Sequence, residues 1–169
     1  MPFRTDTLLS TLIADVDRLV HSASPKHLYA SLFYAEYDAV TRDLEYVNAG
    51  HNAPMVFRRK ASQYSILHLE ATGTPLGLLE RSEFGSQSVE LKTGDVLVMY
   101  TDGITEAENP AHELWGQERL ETLLRTRRDH TPVQIVGRIV EEVLAFAKDC
   151  PQSDDMTLVV VGVNDEAGS

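Results

Sequence analysis

The sequence predicts an α+β fold in which one helix comes first, about five or six strands follow, and two helices and a last strand end the pattern. Three observations predict it. Apolar residues recur at helical spacing near the start, β-branched and aromatic residues with turn signals fill the middle, and two helical patterns precede a continuous apolar run. Because helices and strands are segregated rather than alternating, a layered α+β sandwich is favoured over a doubly wound fold.

The composition is that of one globular domain. The chain has 169 residues, of which 43% are hydrophobic and 24% are charged, and this is enough to bury a sizeable core. We expect a single domain over residues 1–164 and a flexible tail over residues 165–169.

The charge balance argues against some partners. The 26 acidic and 15 basic side chains give a formal net charge of −11, which repels nucleic acid and anionic membranes alike. The N-terminal apolar residues are interrupted by Ser10, Thr11, Asp15 and Asp17, unlike those of a signal peptide or a membrane span. Cys150 is the sole cysteine, so no intrachain disulfide can form, and we expect a cytoplasmic protein.

The first helix is predicted from Leu8 to a point before Pro25. Thr5 and Asp6 precede the pattern and can cap it. The residues that recur at helical spacing are Leu8, Leu9, Leu12, Ile13, Val16, Leu19 and Val20.

Strand chemistry occupies the middle of the chain. Aromatic and β-branched residues from Tyr29 onward predict an antiparallel hairpin whose turn is centred on residues 41–43. A further strand is predicted after the corner formed by residues 50–54. The other predicted strands lie at residues 64–69, around residues 85–91, and at residues 96–100 after a turn at residues 92–95.

Two helices and a strand complete the pattern. The first helix has a short apolar face of Leu120, Leu123 and Leu124. The second opens on the capping box of residues 131–134, with proline at the first helical position. Its predicted buried stripe consists of Ile135, Val136, Ile139, Val140, Val143 and Leu144. Residues 154–163 are predicted to form a strand that is buried on both faces.

Carboxylates stand at the ends of two predicted strands. Asp102 follows one strand, and Asp154 and Asp155 lead into the last one. If these strands are antiparallel neighbours, three carboxylates share a small volume, which raises their proton affinity or demands a cation. Hard divalent ions such as Mg²⁺ and Mn²⁺ prefer such oxygen ligands. Spacing alone leaves open the alternative that these aspartates only form turns and caps.

Four motifs in order resemble those of a known family. They are "AGHNAP" at residues 49–54, "TGTPLGL" at 72–78, "GDVLVMYTDGITEAENPAHELWGQERL" at 94–120 and "SDDMTLVVV" at 153–161. Together they are similar to the C-terminal two-thirds of the SpoIIE/RsbU-type phosphatase domain. That domain is a bacterial branch of the metal-dependent protein serine/threonine phosphatases, which have the phosphatase 2C-like fold. The resemblance runs from about Leu8 to Val163.

The resemblance implies a fold, a cofactor and a reaction. The fold is a β-sandwich of antiparallel sheets flanked by helices, in agreement with the element order. The cofactor is a pair of Mn²⁺ or Mg²⁺ ions, and a metal-activated water attacks phosphoserine or phosphothreonine without a covalent phosphoenzyme. The implied partner is a phosphorylated regulatory protein of the anti-sigma factor antagonist type, in bacterial sigma factor regulation.

The resemblance also assigns candidate site residues. Asp102 and Asp154 match metal-ligand aspartates of the family and are the candidate catalytic residues. Asp155 is the second choice to Asp154, because adjacent strand residues point to opposite faces. Gly103 completes the candidate metal site by letting the backbone pass close to it.

For other residues of the motifs we favour a structural role. His51 could be a metal ligand or a general acid, but its motif resembles a strand-connecting corner. Residues 74–77 are expected to shape a loop, Glu106 and Glu108 to be solvated, and Trp115 to pack under the acidic loop.

The chain departs from the family pattern at its N-terminal end. Members begin with a strand bearing Gly-Asp-x-x-Asp and later have an Asp-Val-x-Gly-x-Gly segment, and these supply the remaining metal ligands. The segment most similar to these motifs, at residues 14–17, lies in a helical pattern and lacks both glycines. The expectation from sequence is a domain without its front strands and without half of the two-metal site, so the chain by itself is expected to be weakly active or inactive.

Three functions of different classes stay open at this point. The chain could be part of a phosphatase, a non-catalytic phosphatase-like module that binds a partner, or a small acidic domain that binds divalent cations for an unrelated purpose.

The missing strands predict either self-association or poor stability. A sheet without them exposes edges and apolar faces, so we expect a homodimer or strand exchange that covers these surfaces. Sedimentation velocity should then give the mass of two chains, whereas a well-folded monomer would contradict the expectation.

Overall fold

The computed structural model describes residues 8–25, 28–60, 63–126, 131–152 and 154–164. They form two compact units. The first unit comprises the described residues up to Ala53 together with Glu70–Leu91, and the second comprises Pro54–Leu69 and the described residues from Lys92 onward. The expected tail at residues 165–169 lies outside the described residues.

The observed element order follows the predicted one, with one short helix added. The elements are α1 Leu9–Ala23, β1 Leu32–Tyr37, β2 Asp43–Ala49, β3 Met55–Lys60, β4 Gln63–His68, β5 Gln87–Glu90, β6 Val96–Tyr100, α2 Asp102–Thr105, α3 Gln117–Thr126, α4 Pro132–Ala147 and β7 Leu158–Gly162. None of the helices in this part of the chain is long and apolar enough to cross a membrane.

The first unit is built on a three-stranded antiparallel sheet in the order β1-β2-β5. The predicted hairpin is confirmed: Leu32 pairs with Ala49 at one end and Tyr37 with Leu44 at the other. Arg42 takes a positive φ of 64° in the turn between them. The sheet's core face packs against α1 in a cluster of Leu9, Ile13, Val47, Ala49 and Leu76.

Helix α1 buries less of its predicted stripe than expected. Leu9 and Ile13 are buried, but Leu8 and Leu19 are 67% and 68% exposed. Leu8 is the N-cap residue and caps through no side-chain hydrogen bond, while the predicted caps at residues 5 and 6 lie outside the described residues. The helix ends at Ala23, before Pro25, as predicted.

The polar interruption at Asp17 is part of the core of the first unit. Its side chain is only 2% exposed, and Oδ1 accepts a hydrogen bond of 2.8 Å from the Gly77 N–H. A buried carboxylate is tolerated only when such a partner compensates its desolvation. Asp17 therefore ties α1 to the loop at residues 74–77.

The second unit is built on a four-stranded antiparallel sheet in the order β4-β3-β6-β7. One face of this sheet packs against the helices. The buried members of this core are Met55, Phe57, Val98, Tyr100, Ile104, Trp115, Leu120, Leu123, Leu124, Ile135, Ile139 and Val143. The capping box that opens α4 is present as predicted, with Thr131 and Gln134 bonded reciprocally.

Two apolar patterns are less buried than predicted. In α4, Ile135, Ile139 and Val143 are buried, but Val140 is 38% and Leu144 53% exposed, so the buried stripe is narrow. The last strand begins at Leu158 rather than at residue 154, and its residues alternate in burial. The prediction of a strand buried on both faces is wrong: Leu158 and Val160 pack against the core on one face, whereas Val159 and Val161 on the other face are 45% and 43% exposed.

A partly buried ion pair between Arg58 and Asp95 holds the start of β6 in place. Asp95, 1% exposed, accepts hydrogen bonds from Nε of Arg58 at 3.0 Å and from the Lys92 N–H at 2.8 Å. The predicted turn at residues 92–95 is therefore closed by the hydrogen bond from the Lys92 N–H to the Asp95 side chain. This anchoring sets the position of the strand that leads to Asp102.

Candidate metal centre

The pairing of β6 with β7 brings together the two chain segments that carry the candidate aspartates. The strands are antiparallel, and Tyr100, the last residue of β6, pairs with Leu158, the first residue of β7. The exit of β6 and the entrance of β7 therefore lie side by side at one end of the sheet. The expectation that the acid-bearing ends of these strands meet is confirmed.

The backbone at Gly103 passes close to the segment before β7. A Cβ atom built on it would lie 2.6 Å from the carbonyl oxygen of Asp155 and 3.0 Å from that of Asp154. Real Cβ atoms essentially never come this close to another atom. The missing side chain is what allows the backbone after β6 to touch the backbone before β7.

Asp102 occupies the first position of α2, a short helix that the sequence had indicated only as a polar loop. Its side chain is exposed, and Oδ1 accepts a hydrogen bond of 3.0 Å from the Gly103 N–H. One carboxylate oxygen is thus held by the backbone.

Asp154 is held in a similar way. Its Oδ1 accepts a hydrogen bond of 2.7 Å from the Asp155 N–H, and its carbonyl oxygen accepts one of 2.6 Å from the side-chain amide of Gln152. Asp154 and Asp155 are both exposed. These contacts do not distinguish Asp154 from Asp155 as a metal ligand, so the preference for Asp154 stays a prediction.

These residues fit one side of a divalent-metal site. Asp102 and Asp154 offer hard oxygen donors on adjoining segments, which suits Mg²⁺ or Mn²⁺. Within the described residues, Oδ2 of each accepts no hydrogen bond. However, the described part of the chain contains no group of three or more His, Cys, Asp or Glu side chains that could hold a metal. The predicted three-carboxylate cluster is not formed there, because Asp155 meets its neighbours through backbone atoms.

Thr101 is a site residue that sequence reasoning missed. Its hydroxyl donates a hydrogen bond of 2.8 Å to the carbonyl oxygen of Asp155 and accepts one of 2.8 Å from the Thr157 N–H. It is also the N-cap residue of α2. A threonine directly before Asp-Gly is a capping signal, but only the strand pairing shows what its hydroxyl reaches.

His51 forms part of a corner in the first unit. Its Nδ1 and the Ser31 hydroxyl share a hydrogen bond of 3.1 Å, and its N–H donates to Oδ1 of the fully buried Asn48 at 2.8 Å. These contacts support the structural role favoured from the sequence.

The loop at residues 74–77 is also held by contacts within the first unit. Leu76 and Ala30 exchange backbone hydrogen bonds of 2.8 and 3.0 Å, and Asp17 receives the Gly77 N–H. The expected loop-shaping role agrees with this arrangement.

The acidic loop after α2 is solvated on its outer side. Glu106 and Glu108 are exposed, and Glu108 pairs with Nδ1 of His112 at 3.0 Å. Trp115 is 3% exposed and belongs to the core of the second unit, so the prediction that it packs inward is confirmed.

The sequence comparison identifies the family. Residues 3–164 match the family described as Stage II sporulation protein E (SpoIIE), and the chain belongs to it. Protein IcfG of Synechocystis sp. is 31% identical over 135 residues, which cover 79% of this chain and 20% of that protein. Phosphoserine phosphatase RsbU of Bacillus subtilis is 25% identical over 152 residues, which cover 90% of this chain and 44% of that protein. The chain thus spans less than half of the length of these two relatives.

The fold is that of phosphatase 2C-like domains. The phosphatase domain of the cell fate determinant SpoIIE from Bacillus subtilis, in a structure presoaked with Mn, superposes with a TM-score of 0.67. The sequences are 21% identical, and the match covers 98% of this chain and 70% of that one. The mixed helices and antiparallel sheets described above are therefore the architecture expected from the motifs.

The close approach at Gly103 predicts the effect of one added methyl group. Gly103→Ala should lower the free energy of unfolding by about 1–3 kcal/mol, because the Asp154 and Asp155 backbone must move away. Gly137→Ala is the matched control: Gly137 lies in α4, and outside its chain neighbours and the backbone of that helix, no described atom lies within 4 Å of an added Cβ. Alanine stabilises a helix interior by up to about 1 kcal/mol relative to glycine. Urea denaturation measures both. Equal or greater stability of Gly103→Ala would contradict the geometry.

Proposed function

We propose that this chain is a metal-dependent protein phosphatase domain that hydrolyses phosphoserine or phosphothreonine on a regulatory protein. The observation that carries the proposal is the juxtaposition of Asp102 and Asp154 at the paired ends of β6 and β7. Membership of the SpoIIE family also supports the proposal, because the relative RsbU is a phosphoserine phosphatase.

Asp102 and Asp154 would hold one or both divalent cations. Each carboxylate has one oxygen fixed by a backbone N–H, which orients the group before a cation arrives. A bound Mn²⁺ or Mg²⁺ ion would lower the pKa of a coordinated water and neutralise charge on the phosphoryl oxygens. Asp155, adjacent in sequence, is the alternative ligand on the same segment.

The rest of the site contributes position and access. Because Gly103 has no side chain, the two aspartate-bearing segments can come into contact. Asp102 and Asp154 are both exposed, so a phosphorylated side chain on the surface of another protein can approach them. An open carboxylate site suits a macromolecular substrate better than it suits a small molecule, which is usually bound in a concave, mostly apolar pocket.

The substrate we propose is a phosphorylated protein of the anti-sigma factor antagonist type. The support is membership of the family and the relative RsbU of Bacillus subtilis, which is a phosphoserine phosphatase. We place this activity in the cytoplasm, where one unpaired cysteine is unremarkable.

One observation favours a second candidate, a non-catalytic module that binds the same kind of partner. Within the described residues, no group of three or more ligating side chains could hold a metal, and a two-metal phosphatase needs more ligands than Asp102 and Asp154. A pseudophosphatase would keep the fold and the partner surface without turnover.

Metal-dependent phosphate release separates the two candidates. A serine-phosphorylated anti-sigma factor antagonist should lose its phosphate when the full chain and Mn²⁺ are added, and excess EDTA should stop the reaction. Asp102→Asn should lower the rate by at least about 100-fold, because it removes a charged ligand of the cation.

The control is Asp149→Asn, which removes an exposed carboxylate just after α4 and should leave the rate unchanged. Binding of the phosphoprotein without any release of phosphate at saturating Mn²⁺ would reject the phosphatase and favour the module. Equal rates for Asp102→Asn and the unchanged protein would show that Asp102 is not a ligand.

A further inference from the structure

We propose that Thr101 is the positioning residue of this site, which fixes the aspartate-bearing segment before β7 against the one after β6. The inference rests on the proposed function, because it assigns Thr101 a task toward the cation that Asp102 and Asp154 would hold. Thr101 itself is not expected to touch the metal or the substrate.

The hydroxyl of Thr101 uses both of its hydrogen-bonding capacities across the same gap. It donates to the Asp155 carbonyl at 2.8 Å and accepts from the Thr157 N–H at 2.8 Å. A threonine hydroxyl has one proton to donate and lone pairs to accept with, so this single group bridges two backbone positions of the partner segment. The Thr101 N–H adds a third link, to the Thr157 carbonyl at 3.1 Å.

Backbone pairing alone cannot extend as far as Asp154. The strand ladder ends where Tyr100 pairs with Leu158, and beyond Thr101 the chain turns into α2. From that point the residues after β6 no longer run beside those before β7 as a strand. Beyond the end of the ladder, the Thr101 hydroxyl holds the Asp155 carbonyl by a hydrogen bond. The N–H of Asp155 in turn donates to the Asp154 carboxylate.

The same bridge keeps the contact at Gly103 closed. The Asp155 carbonyl that accepts from Thr101 is the atom that would lie 2.6 Å from a Cβ at residue 103. One oxygen is therefore fixed from two sides, by a hydrogen bond from residue 101 and by packing against residue 103. Metal sites depend on such supporting hydrogen bonds, whose loss typically lowers metal affinity by about 10- to 100-fold.

Two substitutions separate the hydroxyl from the shape of the side chain. Thr101→Val keeps the branched shape and removes both side-chain hydrogen bonds, whereas Thr101→Ser keeps the hydroxyl and removes the methyl group. Thr122→Val, at an exposed position of α3, is the matched control for replacing a threonine with valine.

The test combines two readouts on the full chain. The first is amide hydrogen exchange of Thr157 in metal-free protein, measured by NMR, which should accelerate by at least about 10-fold in Thr101→Val. The second is Mn²⁺ affinity by isothermal titration calorimetry, which should fall by about 10- to 100-fold in Thr101→Val. Thr101→Ser and Thr122→Val should stay within about threefold of the unchanged protein in both readouts.

The outcomes distinguish this inference from the proposed function. If Thr101→Val exchanges faster but binds Mn²⁺ normally, while Asp102→Asn loses binding, the positioning role is wrong and the proposed metal site stands. If Asp102→Asn binds Mn²⁺ as well as the unchanged protein does, the proposed metal site fails, and the inference fails with it. Failure of Thr101→Ser to restore either readout would also overturn the role of the hydroxyl.

Discussion

The contact between the segment that leaves β6 and the segment that enters β7 is the constraint on which the candidate site depends. Antiparallel pairing aligns the two strand ends, and Gly103 lets the backbones touch where any side chain would collide with Asp155. The partly buried Arg58–Asp95 pair fixes the opposite end of β6. Because contacts hold both ends of this strand, the sheet determines the position of Asp102.

Buried and exposed polar side chains have different tasks in this chain. Asp17, Asn48 and Asp95 are the buried polar residues of the described part, and each accepts a loop N–H. Their polar atoms are satisfied within the protein, as buried groups require. In the part of the chain that the structure describes, the carboxylates of Asp102 and Asp154 each accept the N–H of the next residue, and both side chains remain exposed. Their carboxylates are thus oriented but still accessible, as expected of groups that serve a ligand.

The sequence predicted the elements better than it predicted their burial. Turn residues, the capping box of α4 and strand chemistry locate nearly every element, because these are local signals. The apolar run into β7 suggested burial on both faces, but only one face packs against the core, and which face is covered depends on tertiary packing. Similarly, the adjacent residues Asp102 and Gly103 are a local signal of the site. The hydrogen bond of Thr101 is not, because its partner lies 54 residues away. Contacts between distant segments are not encoded by local pattern.

The proposed phosphatase activity depends on joint binding of one cation by Asp102 and the segment that carries Asp154. The most direct test of this joint binding is an NMR titration of ¹⁵N-labelled protein with substoichiometric Mn²⁺, whose unpaired electrons broaden the signals of nearby amides. We expect the Gly103 and Asp155 amide signals to disappear first, and to persist when the titration is repeated on Asp102→Asn. Broadening spread over the acidic surface and unchanged by Asp102→Asn would contradict the account.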